Sequence, residues 1–186
     1  PIDYDNLISI GSMMGSGGMV IMDETSCMVS IAKFYLEFSV EESCGKCSPC
    51  RIGNKRMLEI LDKITKGNGT MEDLYELRNL ANVIKDTALC GLGQSSPNPV
   101  LSTLDNFWDE YVEHVVDKKC RAGVCRTLMR YEINPEKCIG CGACARVCPQ
   151  TAISGEKKMA HVIDQSKCIK CGACHEKCRM GAIDIK

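Results

Sequence analysis

The sequence lacks several features that would indicate particular classes of protein. Lysine plus arginine and aspartate plus glutamate nearly cancel, at 23 and 24 residues, so the net charge of −1 gives no sign of a nucleic-acid or anionic-membrane partner. No apolar run approaches the length of a membrane span. Residues 1–6 contain neither a basic segment nor the apolar core of a signal peptide. We therefore expect no nucleic-acid partner and no membrane span.

Cysteine, by contrast, is abundant, with fifteen in 186 residues. A secreted disulfide scaffold would also be rich in cysteine. However, the count is odd, and most of the cysteines are separated by only two residues, too few for neighbours to pair. We therefore predict a cytoplasmic protein whose cysteines bind metal.

Two cysteine runs near the C-terminus share one spacing, Cys138-x2-Cys141-x2-Cys144-x3-Cys148 and Cys168-x2-Cys171-x2-Cys174-x3-Cys178. Three thiolates at this spacing can bind three irons of a [4Fe-4S] cluster, while the fourth reaches the other cluster. The predicted clusters are then Cys138, Cys141, Cys144 and Cys178, and Cys168, Cys171, Cys174 and Cys148. Two zinc ribbons are the alternative, but they would leave the third and fourth cysteines of each run unexplained.

Residues 131–186 form an internal repeat, and this segment resembles a two-cluster bacterial-type ferredoxin. Each half ends in a short apolar stretch that predicts a strand, at 151–153 and 181–183. Gly142 and Gly172 would let the backbone turn closely around each cluster. Arg179 departs from the ferredoxin pattern, in which proline usually follows the fourth cysteine, so the local turn there is in doubt.

A third triad, Cys44, Cys47 and Cys50, is separated from a further cysteine, Cys90, by a helical segment. These four thiolates predict another [4Fe-4S] cluster, with a zinc site built from the same residues as the alternative. Lys46 and Arg51 lie in the binding loop, where positive charge would favour the reduced cluster.

Three cysteines remain after twelve are assigned, and one histidine lies at a suitable spacing. Cys27, His114, Cys120 and Cys125 would make a common structural zinc composition. A [2Fe-2S] site is the competitor, although the second pair of the plant-type pattern is missing. An unoccupied set of unrelated residues is the third interpretation. His161 and His175 have no ligand partners at suitable spacing.

The apolar pattern predicts an α+β protein. Short strands at 7–10 and 19–22 would be the β remnant of an upstream domain, so we expect the C-terminal piece of a longer polypeptide. Residues 25–118 would form a small four-helix bundle: a first helix from Met28, a second over 52–65, a third capped by Thr70 and Asp73, and a fourth after Pro99. The predicted domains are 1–24, 25–118, a 119–130 linker with a cysteine pair, and the 131–186 ferredoxin domain.

The stretch from Glu42 to Arg51, with the glycines of 15–18 before it and Cys90 after it, closely resembles the flavin-bearing NADH subunit of complex I. The combination of this region with the appended ferredoxin segment resembles the beta subunit of multimeric [FeFe] hydrogenases of the electron-bifurcating or NADP-reducing kind. The resemblance implies FMN and NAD(P) sites upstream, a hydrogenase subunit and a small [2Fe-2S] subunit as partners, and soluble ferredoxin as a further partner. The glycines of 15–18 are predicted to form a tight turn, not a dinucleotide site.

The sequence thus predicts an electron-relay segment of an NAD(P)-linked oxidoreductase, with no catalytic residue of its own. The beta subunit of a formate dehydrogenase with the same tail is one alternative. A non-enzymatic protein that uses its clusters for electron transfer or as scaffold is another.

Overall fold

A computed structural model describes residues 2–10, 12, 14, 15 and 17–185. Its α-helices are α1 (Tyr4–Ser9), α2 (Met28–Glu41), α3 (Asn54–Thr65), α4 (Met71–Thr87), α5 (Gly91–Ser95), α6 (Asn98–Asn106), α7 (Trp108–Val112), α8 (Ala143–Val147) and α9 (Ala173–Lys177). Its strands are β1 (Tyr131–Ile133), β2 (Ile153–Ser154), β3 (Val162–Ile163) and β4 (Ile183–Ile185). π-helical turns occupy Pro49–Gly53 and Glu113–Asp117. Within the described residues we find no helix with the length and hydropathy needed to cross a membrane.

The prediction of strands near the N-terminus is wrong for the described residues. Helix α1 covers most of 7–10, and residues 19–22 form neither a helix nor a strand. Asp3 caps α1 by accepting a hydrogen bond from the Asn6 N–H at 2.8 Å. This cap satisfies one of the N–H groups that the helix itself leaves unpaired, whereas two short strands cannot form a stable sheet alone. The predicted turn over 15–18 includes Ser16, which lies outside the described residues.

The capping-box prediction at the start of α4 is confirmed. The Thr70 N–H donates to the Asp73 carboxylate at 2.7 Å, and the Asp73 N–H donates to the Thr70 hydroxyl at 3.4 Å. Lys63, near the end of α3, donates to the same carboxylate at 2.8 Å. Burial would raise the pKa of Asp73, but these hydrogen bonds and the Lys63 charge outweigh it and hold the pKa below its usual value.

The predicted fourth helix is divided. It runs as α6, breaks at Phe107, and continues as α7 and the turn Glu113–Asp117. The predicted apolar face is otherwise correct, since Val100, Leu104, Tyr111 and Val115 are all buried. Phe107 itself has non-helical backbone angles and remains 40% exposed, so the helix changes direction where the apolar side chain leaves the core. The helices pack around one apolar core, and their exact description as a four-helix bundle stays a prediction.

Helices α2 to α7 and the turn Glu113–Asp117 form a helical unit. Helices α3 and α4 define its two ends. They are joined by the short loop 66–70, so the start of α3 lies near the end of α4. Gly69 in this loop lies against Val115, which brings the turn Glu113–Asp117 to the end of α3. One end of the unit therefore holds the N-terminus of α3 and the C-terminus of α4. The opposite end holds the α3–α4 loop and the turn that contains His114.

The C-terminal repeat folds around its own apolar core, with strands exchanged between the halves. Strand β1 pairs antiparallel with β4, and β2 pairs antiparallel with β3. The end of each half is thus hydrogen-bonded to the start of the other. Because Cys178 lies just before β4, this pairing carries it toward the first cysteine triad, and the equivalent pairing carries Cys148 toward the second. The stretches predicted as strands, 151–153 and 181–183, overlap β2 and β4 only at their last residues, Ile153 and Ile183.

Residues 119–130 are bonded to both halves of the molecule. The Thr127 hydroxyl donates to the carbonyl of Thr65, at the end of α3, at 2.9 Å. The Lys170 ammonium of the ferredoxin-like repeat donates to the Thr127 carbonyl. The linker therefore connects the repeat to the C-terminal end of α3.

Candidate metal centres

The first candidate centre lies at the N-terminal end of α3. Cys50 is in the π-helical turn Pro49–Gly53, directly before α3, and Cys90 immediately precedes α5. Gly93 of α5 packs so closely on Cys50 that an added Cβ would lie 3.3 Å from the Cys50 Cβ. A glycine at this position lets the loop of Cys90 approach the triad. The structure thus brings the loop of Cys90 against the loop of Cys44, Cys47 and Cys50.

Two kinds of positive group face this loop. A backbone hydrogen bond from Leu89 is the largest cause that lowers the pKa of the Cys47 thiol, and the Arg51 charge adds to it. The Arg51 guanidinium donates to the Gly45 carbonyl at 3.0 Å, which fixes it beside the triad. Both groups favour a thiolate, the form of cysteine that binds iron or zinc. The electrostatic environment at Cys47 is therefore suited to metal binding.

The ferredoxin-like repeat contains two cavities, each lined by four cysteines. The first is lined by Cys138, Cys141, Cys144 and Cys178. The second is lined by Cys148, Cys168, Cys171 and Cys174. Each set combines three cysteines of one half with the fourth of the other half. This grouping is consistent with the crossed ligation that the sequence predicts.

Backbone groups complete these two cavities. The N–H groups of Ala152 and Ala182 donate to the sulfurs of Cys148 and Cys178, each at 3.3 Å. Gly142 and Gly172 have left-handed backbone angles, with φ of 68° and 80°, where α8 and α9 begin. These angles favour glycine and let the chain turn beside the cysteines. These angles agree with the turn predicted at both glycines.

The fourth candidate centre lies at the opposite end of the helical unit. The ligand atoms of Cys27, His114, Cys120 and Cys125 all lie within 4.8 Å of one another, and all four residues are buried. Cys27 caps α2, and His114 lies in the π-helical turn Glu113–Asp117. The two loop cysteines follow that turn. The structure therefore brings together the four residues that the sequence predicts as a zinc site.

The distances in this centre can be compared with a single tetrahedral ion. The Cys27 and Cys125 sulfurs are 3.9 Å apart, and the His114 Nε2 lies 3.3 Å from the first and 3.5 Å from the second. Zinc–sulfur bonds of about 2.3 Å and zinc–nitrogen bonds of about 2.0–2.1 Å imply tetrahedral edges of about 3.8 Å and about 3.6 Å. The residues therefore fit one zinc ion. The four ligands of a [2Fe-2S] cluster bind two different irons, so some of their ligand atoms would lie farther apart than around a single ion.

The orientation of His114 also suits metal binding. Its Nδ1 lies 2.7 Å from the Glu110 carbonyl, so Nδ1 carries the proton and donates it, leaving Nε2 toward the sulfurs. Burial lowers the pKa of His114, but hydrogen bonds with Cys120 and Cys27 outweigh this and raise it to about 10. Hydrogen bonds from Cys125 and Cys27 lower the pKa of Cys120.

Both π-helical turns carry a predicted ligand, Cys50 in one and His114 in the other. Such turns are rare and occur frequently at functional sites. Sequence reasoning missed them, and it also missed two buried polar residues near the centres, Asn54 and Ser96; it assigned no role to a third, His161. His161 lines the cavity of the first ferredoxin-like set, while Asn54 and Ser96 contact each other beside Cys50. His175, the other unassigned histidine, is exposed.

Comparison with known protein families identifies two iron–sulfur regions. Residues 30–114 match the NADH-ubiquinone oxidoreductase-F iron-sulfur binding region, and residues 130–179 match a 4Fe-4S dicluster domain. Both [4Fe-4S] domains are present. The resemblance drawn from the cysteine motifs is confirmed.

Individual relatives agree with this assignment. The chain is 62% identical over 160 residues to the NADP-reducing hydrogenase subunit HndC of Solidesulfovibrio fructosivorans, covering 86% of this chain and 33% of that protein. It is 38% identical over 120 residues to an NADH-quinone oxidoreductase subunit of Streptomyces coelicolor, covering 64% of this chain and 27% of that protein. The chain thus spans about a third of the length of the curated relatives that it matches.

A solved structure is also similar to part of the chain. It is the crystal structure of an NAD+-reducing [NiFe]-hydrogenase in the H2-reduced state, with 30% identity and a TM-score of 0.49. The match covers 50% of this chain and 16% of the hydrogenase chain.

Proposed function

We propose that this chain is an electron-relay segment of an NAD(P)-linked flavin iron–sulfur oxidoreductase. The observation that carries the proposal is the set of twelve cysteines in three groups of four, within regions that match two iron–sulfur families. Clusters of this kind carry single electrons, and the protein positions them and sets their potentials. No residue of this segment is assigned to bond-making or bond-breaking.

The proposed clusters have defined ligands. One [4Fe-4S] cluster binds Cys44, Cys47, Cys50 and Cys90, and the two ferredoxin-type clusters use the crossed sets described above. A zinc ion binds Cys27, His114, Cys120 and Cys125, supported by the agreement between their separations and a zinc tetrahedron. Zinc has no redox chemistry, so this ion stabilises the junction and carries no electrons.

The domain division that we propose follows the predicted boundaries. Residues 25–118 form the helical iron–sulfur domain, 119–130 the linker, and 131–186 the ferredoxin domain, with residues 1–24 as the end of an upstream domain. Two separate apolar cores support the division, one around Leu36 and Leu61 and another around Tyr131 and Ile183. The matched family regions, 30–114 and 130–179, lie on either side of the proposed linker.

The wider assignment rests on the relatives. We propose that the full-length protein binds FMN and NAD(P) upstream and belongs to an electron-bifurcating [FeFe] hydrogenase. Its partners would be the hydrogenase subunit, a small [2Fe-2S] subunit and soluble ferredoxin. Support comes from the 62% identity with a subunit of an NADP-reducing hydrogenase. The subunit that co-purifies, a hydrogenase or a molybdenum enzyme, distinguishes this assignment from a formate dehydrogenase.

The arrangement of the centres bears on the electron route. The Cys44 set lies at the N-terminal end of α3, whereas Lys170, beside Cys171, is bonded to the linker at the other end. The twelve residues of α3 alone span about 18 Å. Electron tunnelling becomes slow over separations of this size. We therefore propose that a carrier outside this segment connects the Cys44 cluster with the ferredoxin-type clusters.

Metal analysis of the anaerobically purified protein tests the proposal. We expect about twelve iron and about twelve labile sulfide per chain, as three [4Fe-4S] clusters require. We also expect about one zinc. About four fewer iron and sulfide would remove one cluster from the assignment. Zinc in place of iron would return the corresponding cysteines to the zinc-ribbon alternative.

A further inference from the structure

Two side chains lie within hydrogen-bond distance of the Cys50 sulfur. The Asn54 Nδ2 is 3.5 Å from it, and the Ser43 hydroxyl oxygen is 3.2 Å from it. Asn54 is fully buried and Cys50 is 4% exposed, whereas Cys44 and Cys90 are exposed. A fully buried asparagine beside a sulfur needs a structural or electronic reason, because burying a polar side chain costs free energy.

A third residue fixes the direction of the Asn54 amide. The Ser96 hydroxyl lies 3.0 Å from the Asn54 Oδ1 and also 3.0 Å from the Gly93 carbonyl, so these two acceptors share its hydrogen. A ligating thiolate can only accept hydrogen bonds. The amide NH2 must therefore face the Cys50 sulfur, and the amide oxygen must face Ser96. The Ser43 hydroxyl must likewise donate to a ligating sulfur at this position.

Donors to a ligand sulfur stabilise the more negative, reduced cluster and raise its reduction potential. The effect is larger where water is excluded, as it is around Asn54. The ferredoxin-like sets receive backbone donors at Cys148 and Cys178, which a change of side chain other than to proline does not remove. The side-chain donors at Cys50 differ because they can be changed without altering the chain's backbone.

We propose that Asn54, oriented by Ser96, and Ser43 set the reduction potential of the cluster bound by Cys44, Cys47, Cys50 and Cys90. The proposal rests on the proposed function, in which that set of cysteines binds a [4Fe-4S] cluster. Asn54 and Ser43 are positioning residues that act on the cluster through the Cys50 sulfur. They make this cluster easier to reduce than the same four thiolates would alone.

The test is an EPR-monitored redox titration of the anaerobic holoprotein. Asn54→Leu removes the donor at similar volume, and Ser96 keeps the Gly93 carbonyl as an acceptor. We expect the equilibrium between reduced and oxidised cluster to shift at least tenfold toward the oxidised form, which corresponds to 59 mV for one electron. Asn68→Leu, at an exposed position in the α3–α4 loop at the opposite end of the helical unit, is the control for the same change remote from the cluster.

Ser43→Ala provides a second variant in a less buried loop, in case Asn54→Leu fails to assemble the cluster. It should shift the potential in the same direction, and Ser43→Thr, which keeps the hydroxyl, should restore it. Assembled clusters with unchanged potentials in Asn54→Leu and Ser43→Ala would overturn the proposal. A wild-type protein without this cluster would instead overturn the proposed function, so iron analysis separates the two failures.

Discussion

The Cys27 sulfur lies 3.3 Å from the His114 Nε2, although 87 residues separate them in the sequence. Cys27 begins α2, and His114 lies in the π-helical turn after α7. A metal ion bound by these residues would therefore connect the start of the helical unit to its end. The same centre includes Cys120 and Cys125, which lie in the linker to the ferredoxin-like repeat.

The first prediction concerns the metal in this centre. Cys120→Ser should remove about one zinc per chain and leave iron and sulfide unchanged, because a structural zinc site needs all four ligands. His114→Gln should do the same. Elemental analysis of the anaerobic protein measures both changes. His175→Gln, at an exposed histidine outside the site, should retain zinc. Loss of iron from Cys120→Ser would instead identify a [2Fe-2S] centre and lengthen the redox chain.

The second prediction tests crossed ligation in the repeat. Cys178→Ser should damage the cluster anchored by Cys138, because both residues line one cavity. Cys148→Ser is the matched control and should damage the cluster anchored by Cys168, whose cavity it lines. EPR spectra of the reduced variants distinguish the two clusters. If each substitution damaged the cluster of its sequence neighbours, the crossed assignment would be wrong.

Local spacing explains why much of the metal chemistry could be predicted. Within each triad, those of the repeat and that of Cys44, Cys47 and Cys50, two residues separate neighbouring cysteines. One loop can therefore supply three ligands, and this can be predicted without knowing the fold. The helix starting at Thr70 was similarly predictable, because its cap involves neighbours three residues apart. Cys27 required a different argument: it was assigned to the zinc set as one of three cysteines left over.

Contacts between distant residues explain what could not be predicted. Ser96 contacts Asn54 across 42 residues, and nothing in the local pattern of either residue indicates that pair. The break at Phe107 also depends on packing, since its spacing fits the apolar face of a continuous helix. At residues 7–10, a short apolar run suggested a strand, but the Asp3 cap favours a helix. In each case tertiary packing or a cap outweighed periodicity.

The third prediction concerns stability and pH. Asp73 has a pKa below its usual value, so its carboxylate contributes stability that is present above the usual pKa near 4 and is lost as pH falls through the folded-state value. Asp73→Asn should therefore lower the thermal midpoint at neutral pH, and the difference from wild type should shrink in acid. Thr70→Ala should also destabilise the helix start, by about 1 kcal/mol.

Anaerobic thermal unfolding at several pH values measures this effect. Asp86→Asn, a matched change at an exposed position of the same helix, is the control and should shift the midpoint little. Equal destabilisation by Asp73→Asn and Asp86→Asn would contradict a specific role for the capping box. A difference between wild type and Asp73→Asn that did not depend on pH would contradict the role of the ionised carboxylate.

The last prediction concerns the order of electron transfer. In the proposed function the Cys44 cluster receives electrons from FMN, because the resembled flavin subunits place a cluster there and because Arg51 lies beside the triad. Cys90→Ser, in the full-length protein with its partner subunits, should remove one ligand of this cluster. FMN should remain reducible by NAD(P)H, but the clusters anchored by Cys138 and Cys168 should no longer be reduced at the normal rate.

Rapid-freeze EPR after addition of NAD(P)H measures this order. Cys178→Ser is the control, since it should damage a ferredoxin-type cluster while leaving reduction of the Cys44 cluster intact. The separation of the two regions by α3 adds a second expectation. Without partner subunits, the ferredoxin-type clusters of the wild-type chain should be reduced slowly, because about 18 Å of helix lies between them and the Cys44 cluster. Normal reduction of both ferredoxin-type clusters in Cys90→Ser would mean that electrons reach them by another route, and the relay assignment would then be wrong.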